Sequence, residues 1–173
     1  WDEVADDTDG LSPDNRLIFG VGPFAGTTVP GGSRFNVTGV SPQTGILGDS
    51  NAGGFFGPEL KYAGYDQLIV EGKADHPVYL WIHNDSVELR DARGLWGKDV
   101  ADTTMAIHEE LGDRDIQVAT VGQAAENGVL FAGIIVNQAR AAARTGMGTL
   151  MAAKNLKAIA VRGTQPVRVA DVT

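Results

Sequence analysis

The sequence predicts a β-rich α+β domain, and three observations carry that prediction. Runs of four to eight residues rich in Val, Ile and aromatics recur along the chain, bounded by Gly, Pro, Asn or Asp. A single long stretch, Asp99 to Leu111, has helical periodicity with polar residues on the opposite face. Glycine makes up 23 of the 173 residues, nearly twice the usual share of about 7%, and it clusters between the runs, where a chain that reverses often needs it.

Taken in order, strands are expected at Leu17–Val21 and Phe35–Val40, each an apolar run following a turn-rich stretch. Glu59–Ala63, just after Pro58, reads as a short helix, because proline is tolerated in a first helical turn. A strand follows at Gln67–Glu71. Val78–His83 and Val87–Arg90 alternate on either side of Asn84-Asp85 and form a hairpin, since Asn and Asp tolerate the left-handed backbone of a tight turn. Asp99–Leu111 carries Val100, Met105, Ile107 and Leu111 with polar groups between them and stops at Gly112, as a covering helix would. Further strands are expected at Ile116–Val121, Val129–Val136 and Ala158–Arg162. Ala139–Asn155 reads as a helix in two pieces interrupted by Thr145-Gly146-Met147-Gly148. No repeat or linker composition divides the chain, so residues 1–173 are expected to be one domain.

Composition excludes several function classes. With 43% hydrophobic residues the chain can bury a core, and no run approaches the ~20 apolar residues of a membrane helix, so no membrane partner is expected. A net charge of −8 argues against nucleic acid, whose phosphates demand a basic footprint. The average conceals a gradient. Asp2, Glu3, Asp6, Asp7, Asp9 and Asp14 precede the first base, whereas Arg140, Arg144, Lys154, Lys157, Arg162 and Arg168 lie beyond Asn137 with only Asp171 against them. A cationic C-terminal third is either ordinary solubility or help in holding a small anion. The chain has no Cys, which removes disulfides, thiolate metal ligation and thiol nucleophiles, and points to a reducing, cytoplasmic setting.

The glycine clusters each sit beside a polar anchor. Gly20, Gly22, Gly26, Gly31 and Gly32 precede Arg34; Gly45, Gly48, Gly53, Gly54 and Gly57 surround Asn51; Gly146 and Gly148 follow Arg140 and Arg144. Such loops either make tight turns or let phosphate oxygens approach backbone N–H groups. Neither the dinucleotide nor the P-loop fingerprint is present. His76, His83 and His108 are too scattered to make a metal triad, and Glu109-Glu110 reads as a solvated helix face, so no catalytic residue is expected in this chain.

The order of motifs carries more. Gly31-Gly32-Ser33-Arg34-Phe35-Asn36, Ser41-Pro42-Gln43-Thr44-Gly45 and Asn51-Ala52-Gly53-Gly54-Phe55-Phe56-Gly57-Pro58-Glu59-Leu60-Lys61-Tyr62-Ala63-Gly64-Tyr65-Asp66 resemble the N-terminal domain of the tungsten-containing aldehyde ferredoxin oxidoreductase family. The resemblance continues through Ile69-Val70-Glu71-Gly72-Lys73, Arg140-Ala141-Ala142-Ala143-Arg144 and Lys154-Asn155-Leu156-Lys157, covering about Asp9 to Arg168.

It implies a saddle-like base of two antiparallel or mixed sheets with a few covering helices, on which a bis-molybdopterin tungsten cofactor sits. Asn51 would give its side-chain oxygen, and Ala141 its carbonyl, to a Mg²⁺ ion bridging the pterin phosphates. Arg34 would bridge a phosphate and a 4Fe–4S cluster, while Arg140, Arg144 and the amides of Ala52, Gly53 and Gly54 would line the same pocket. The cluster's ligands would lie outside this chain. So would earlier strands, the start of a helix that Trp1–Val4 finishes, and helical domains following this one. The implied reaction joins an aldehyde and water into a carboxylate with electrons passed to ferredoxin, and a homo-oligomer is open. The alternatives are the cofactor domain of a related tungsten enzyme, such as a benzoyl-CoA reductase subunit, and a non-catalytic pterin-binding module.

Overall fold

The computed structural model describes residues 4, 5, 7–168 and 170. Its elements follow in the order β1 (Leu17–Val21), β2 (Phe35–Val40), β3 (Leu47–Ala52), α1 (Phe56–Tyr62), β4 (Gln67–Val70), β5 (Val78–His83), β6 (Ser86–Asp91), α2 (Val100–Leu111), β7 (Gln117–Thr120), α3 (Gln123–Glu126), β8 (Ile134–Val136), β9 (Arg140–Ala142), α4 (Met147–Ala153) and β10 (Leu156–Arg162). They build two sheets, one of four strands in the order β3-β2-β1-β4 and one of six in the order β6-β5-β10-β7-β8-β9. The smaller sheet is antiparallel throughout; the larger is mixed, because β5 and β10 run parallel. This is the β-rich α+β architecture expected from the sequence.

The principal core lies between the sheets. Leu17, Phe19, Phe35 and Val37 of the smaller sheet meet Leu80, Ile82, Ile134, Val136, Ile159 and Val161 of the larger, with Phe56 and Leu60 of α1 and Leu150 and Met151 of α4 in the same cluster. Phe56 stands 5.0 Å from Phe35 and 6.2 Å from Phe19 between ring centroids, a separation at which tilted aromatic pairs attract. A second cluster, with Tyr79, Trp81, Ile107, Val118, Ala158 and Ala160, lies on the other face of the larger sheet beneath α2. Buried on both faces, β10 consequently reads as an almost unbroken apolar run. The helix expected at Asp99–Leu111 is α2, with the Asp99 carboxylate accepting from Asp102 N at 2.8 Å and Gly112 closing it in the left-handed conformation.

Four elements depart from the sequence reading. Ala139–Asn155 is not a helix in two pieces: its first part is strand β9, and Gly146, instead of interrupting a helix, caps the start of α4 with φ +76. The strand forms because Asn137 and Gln138 take positive φ, allowing Ala139 N to donate to Val136 O at 3.1 Å and fold β9 back on β8. Strand β3 and the single-turn α3 arise where no element was expected. Of Val129–Val136, only Ile134–Val136 is strand. The helix end expected at Trp1–Val4 falls largely outside the described residues.

On the outer cluster, Tyr79 is fully buried and its hydroxyl donates to Glu110 at 2.6 Å; Glu110 is therefore engaged, not merely solvated. Burial first, and the hydrogen bond to Glu110 second, push the Tyr79 hydroxyl up to about 12. Because the folded value exceeds the unfolded one near 10, the associated stability is present below pH 10 and is lost between pH 10 and about 12. One of the three tyrosines is expected to ionise late in an ultraviolet titration. Tyr79→Phe removes that phase and part of the alkaline loss of stability; a wild type with no late-ionising tyrosine contradicts the assignment.

Candidate functional site

Strands β2 and β3 pair antiparallel with Asn36 opposite Asn51 and Phe35 opposite Ala52, so Arg34, just before β2, stands opposite Gly53. Along β3 the side chains alternate: Leu47, Asp49 and Asn51 face outward, while Gly48, Ser50 and Ala52 face the core. The outward Asn51 is in reach of Arg34, whose Nε donates to the Asn51 Oδ1 at 2.9 Å and whose Nη2 reaches the same oxygen. Asp49, on the same face, accepts from the Asn36 side-chain amide.

β3 is an edge strand of the smaller sheet and β9 an edge strand of the larger. The two edges are tied. Ser50 Oγ lies 2.7 Å from the Ala143 carbonyl oxygen and 2.6 Å from Thr145 Oγ1. This tie sets the Arg140 side chain of β9 beside Gly54 of the smaller sheet's loop: a Cβ on Gly54 would stand 3.5 Å from Arg140 Cγ, and one on Gly53 would stand 3.8 Å from Arg34 Nη1. Gly54 also takes φ +101, which a side chain would strain. Residues from distant parts of the chain thus meet along one seam: Arg34, Asn51, Gly53 and Gly54 on one side, Arg140 on the other. Ala52 is 2% exposed and faces inward, leaving only its backbone to offer. Ala141 follows Arg140 on β9, exposed and opposite Ile135. Arg144, also exposed, lies beyond β9 with φ +83, an uncommon backbone for a non-glycine residue and one that clusters at functional sites.

The chemistry of the seam suits an anion. Arg34, Arg140 and Arg144 have exposed side chains, and none has a carboxylate within salt-bridge distance among the described residues, unlike Arg162, which holds Glu59 at 2.8 Å and Asp113 at 2.9 Å. Unneutralised guanidinium groups, planar and forked, favour carboxylates and phosphates, and the glycines between them let such a group approach the backbone. The oxygen donors are an amide and carbonyls, which suit a hard divalent cation sharing the site with an anion. Among the described residues, no three His, Cys, Asp or Glu side chains are grouped to hold a metal. His108 is half-buried, with Nε2 2.8 Å from Ile116 O.

The third glycine cluster does not line the seam. Cβ atoms on Gly146 and Gly148 would lie 2.1 Å from Leu130 O and 2.4 Å from Gly133 O, so these residues serve close packing. Ser50 and Thr145, which join the two halves, left no signal in the sequence: both hydroxyls matter only once β3 and β9 are known to be adjacent edges.

Residues 1–163 match the family model of the aldehyde ferredoxin oxidoreductase N-terminal domain. The chain belongs to the aldehyde ferredoxin oxidoreductase family. It is 53% identical over 169 residues to the tungsten-containing aldehyde ferredoxin oxidoreductase of Pyrococcus abyssi, covering 98% of this chain and 28% of that protein. It is 35% identical over 179 residues to the aliphatic sulfonate oxidoreductase, WOR-like subunit, of Pyrococcus furiosus, covering 96% of this chain and 28% of the relative. Among solved structures, the active site complex BamBC of benzoyl coenzyme A reductase with 1,5 dienoyl-CoA superposes with a TM-score of 0.93 at 46% identity, over 96% of this chain and 25% of that one. The chain thus spans between a quarter and a third of the length of these relatives, and the two sheets with their seam are the family's N-terminal domain.

Proposed function

We propose that this domain binds a bis-molybdopterin tungsten cofactor along the seam, within a longer oxidoreductase that converts an aldehyde and water to a carboxylate and passes electrons to ferredoxin through a 4Fe–4S cluster. The observation carrying this reading is the meeting of Arg34, Asn51, Gly54 and Arg140 where the two sheet edges join. When bound, the cofactor supplies the oxygen transfer and the redox chemistry; the residues of this chain hold and orient it.

Arg34, Arg140 and Arg144 fit the phosphates, as permanently charged forked donors. The amides of Ala52, Gly53 and Gly54 would line the same pocket, and Asn51 Oδ1 and the Ala141 carbonyl would hold a Mg²⁺ ion. Asn51 Oδ1 accepts from Arg34 here; a phosphate at Arg34 draws the guanidinium to the stronger charged acceptor and frees the amide oxygen for the cation. Arg34 would in this role also serve the cluster, whose ligands would lie outside this chain, which has no Cys. The setting is the cytoplasm and the electron partner ferredoxin.

The 46% identity to the BamBC complex favours a second reading, the cofactor domain of a related tungsten enzyme that reduces an aromatic coenzyme A thioester. Turnover of aldehydes against aromatic thioesters by the full-length protein separates the two. The shared cofactor reading is tested by tungsten and pterin analysis of that protein. Wild type is expected to carry both, while Arg34→Ala and Asn51→Ala each retain less than about a tenth of the tungsten, as expected when groups to charged phosphates and Mg²⁺ are lost. Unchanged content in both variants, or a wild type that binds pterin without turnover, points instead to a different site or to a non-catalytic module.

A further inference from the structure

Resting on that cofactor reading, we infer that Ser50 and Thr145 are positioning residues, a pair of hydroxyls that holds the two halves of the site at the spacing one cofactor requires. Asn51 and Arg34 belong to the smaller sheet and Arg140 and Ala141 to the larger. A hydrogen-bonded ladder fixes each half within its own sheet, but no ladder joins β3 to β9. The Ser50 hydroxyl, 4% exposed, fills that gap.

Its proton inventory is closed. Ser50 has one O–H, and the Ala143 carbonyl at 2.7 Å can only accept, so Ser50 donates there. The Thr145 hydroxyl at 2.6 Å then donates to Ser50 Oγ. The chain Thr145 to Ser50 to Ala143 runs in one direction and spans the seam directly beneath Asn51. Because successive side chains of a strand face opposite ways, the inward Ser50 adjoins the outward Asn51 on the same backbone. On the other side, Ala143 and Thr145 flank Arg144 and follow Arg140 and Ala141. A shift at this bridge therefore moves the phosphate-binding and cation-binding groups of one half against those of the other. The approach depends also on Gly48, where a Cβ would stand 3.1 Å from Thr145 Cβ and 2.8 Å from Met147 Cε.

The test uses the full-length protein and reads the rate of tungsten loss on incubation, with thermal unfolding measured alongside. Thr145→Val keeps the shape and removes the hydroxyl; Thr145→Ser keeps the hydroxyl and removes a methyl. Positioning through the hydrogen bond predicts that Thr145→Val and Ser50→Ala lose tungsten about fivefold faster than wild type, the effect of one hydrogen bond, while Thr145→Ser stays within about twofold. The double variant Ser50→Ala/Thr145→Val is expected to lose it little faster than either single one, since both act through one bridge. A pure packing role gives the reverse order, Thr145→Ser impaired and Thr145→Val normal, and overturns the inference. Wild-type retention in all these variants, with Arg34→Ala and Asn51→Ala still depleted, also overturns it and leaves the cofactor reading standing. Retention in Arg34→Ala and Asn51→Ala overturns both.

Discussion

Lys157→Ala is expected to destabilise the domain by about 3–5 kcal/mol, the cost of breaking a buried ion pair from one side. The Lys157 side chain is 0% exposed, and its Nζ lies 2.6 Å from Glu126 Oε1 and 2.8 Å from the Lys98 carbonyl. Glu126, 5% exposed in its side chain, also accepts from Gly97 N at 2.9 Å. The pair therefore joins β10, α3 and the loop leading into α2. Removal of the ammonium leaves a buried carboxylate with a single backbone donor, and the charge, not the lost attraction, dominates the penalty. Lys157→Met/Glu126→Gln should consequently cost less than the sum of the single changes, because neither charge is then stranded. Guanidinium unfolding followed by the fluorescence of Trp81 and Trp96 measures both. A loss below about 1 kcal/mol for Lys157→Ala would mean that water reaches the pair.

Gly148→Ala decides between two effects of opposite sign. Within a helix, alanine is favoured over glycine by at most about 0.5–1 kcal/mol, and Gly148, the second residue of α4, gains no more than that. At this position, however, a Cβ would lie 2.4 Å from Gly133 O, 2.6 Å from Gly133 C and 2.8 Å from Ala132 O, all backbone atoms. Overpacking against backbone costs about 1–3 kcal/mol or more, so sterics wins and the variant is destabilised. Gly148 N also donates to Ala132 O at 3.0 Å, so relieving the clash weakens a bond that docks α4 against the segment preceding β8. Since Thr145 immediately precedes the cap of α4, the same displacement should loosen the seam and lower tungsten retention in the full-length protein. Gly20→Ala is the control: nothing lies within 4 Å of the added methyl, so only the backbone effect remains, and the variant should be neutral or stabilised by up to about 1 kcal/mol. A stabilised Gly148→Ala would show that α4 is free to move away from Ala132 and Gly133.

The strands best read from the sequence were those whose burial leaves an apolar signature. β1, β2 and β5 alternate or run apolar because one or both faces meet the core, whereas β6 is exposed along nearly all its length and was legible from its alternation and from the Asn84-Asp85 turn that joins it to β5, with Asn84 at φ 51. β3 and β9 escaped for the same physical reason in reverse. The inward face of β3 is Gly48, Ser50 and Ala52, small because another sheet edge approaches there, and small residues carry no hydrophobic period. β9 is Arg140-Ala141-Ala142, a composition that favours a helix in isolation and becomes a strand only through pairing with β8.

The sequence by itself determined the family, the core strands, the charge gradient and the residue types of the site, since these reside in local composition and in the order of motifs. Only the tertiary structure decided that Arg34 and Asn51 share a seam with Arg140, and that Gly146 and Gly148 are packing residues instead. Ser50 and Ala143 are 93 positions apart, and the bridge between them exists because two sheet edges, each stabilised by its own ladder and core, are brought together by burial elsewhere. No local pattern encodes such a meeting; it is a consequence of how the apolar faces of both sheets are covered.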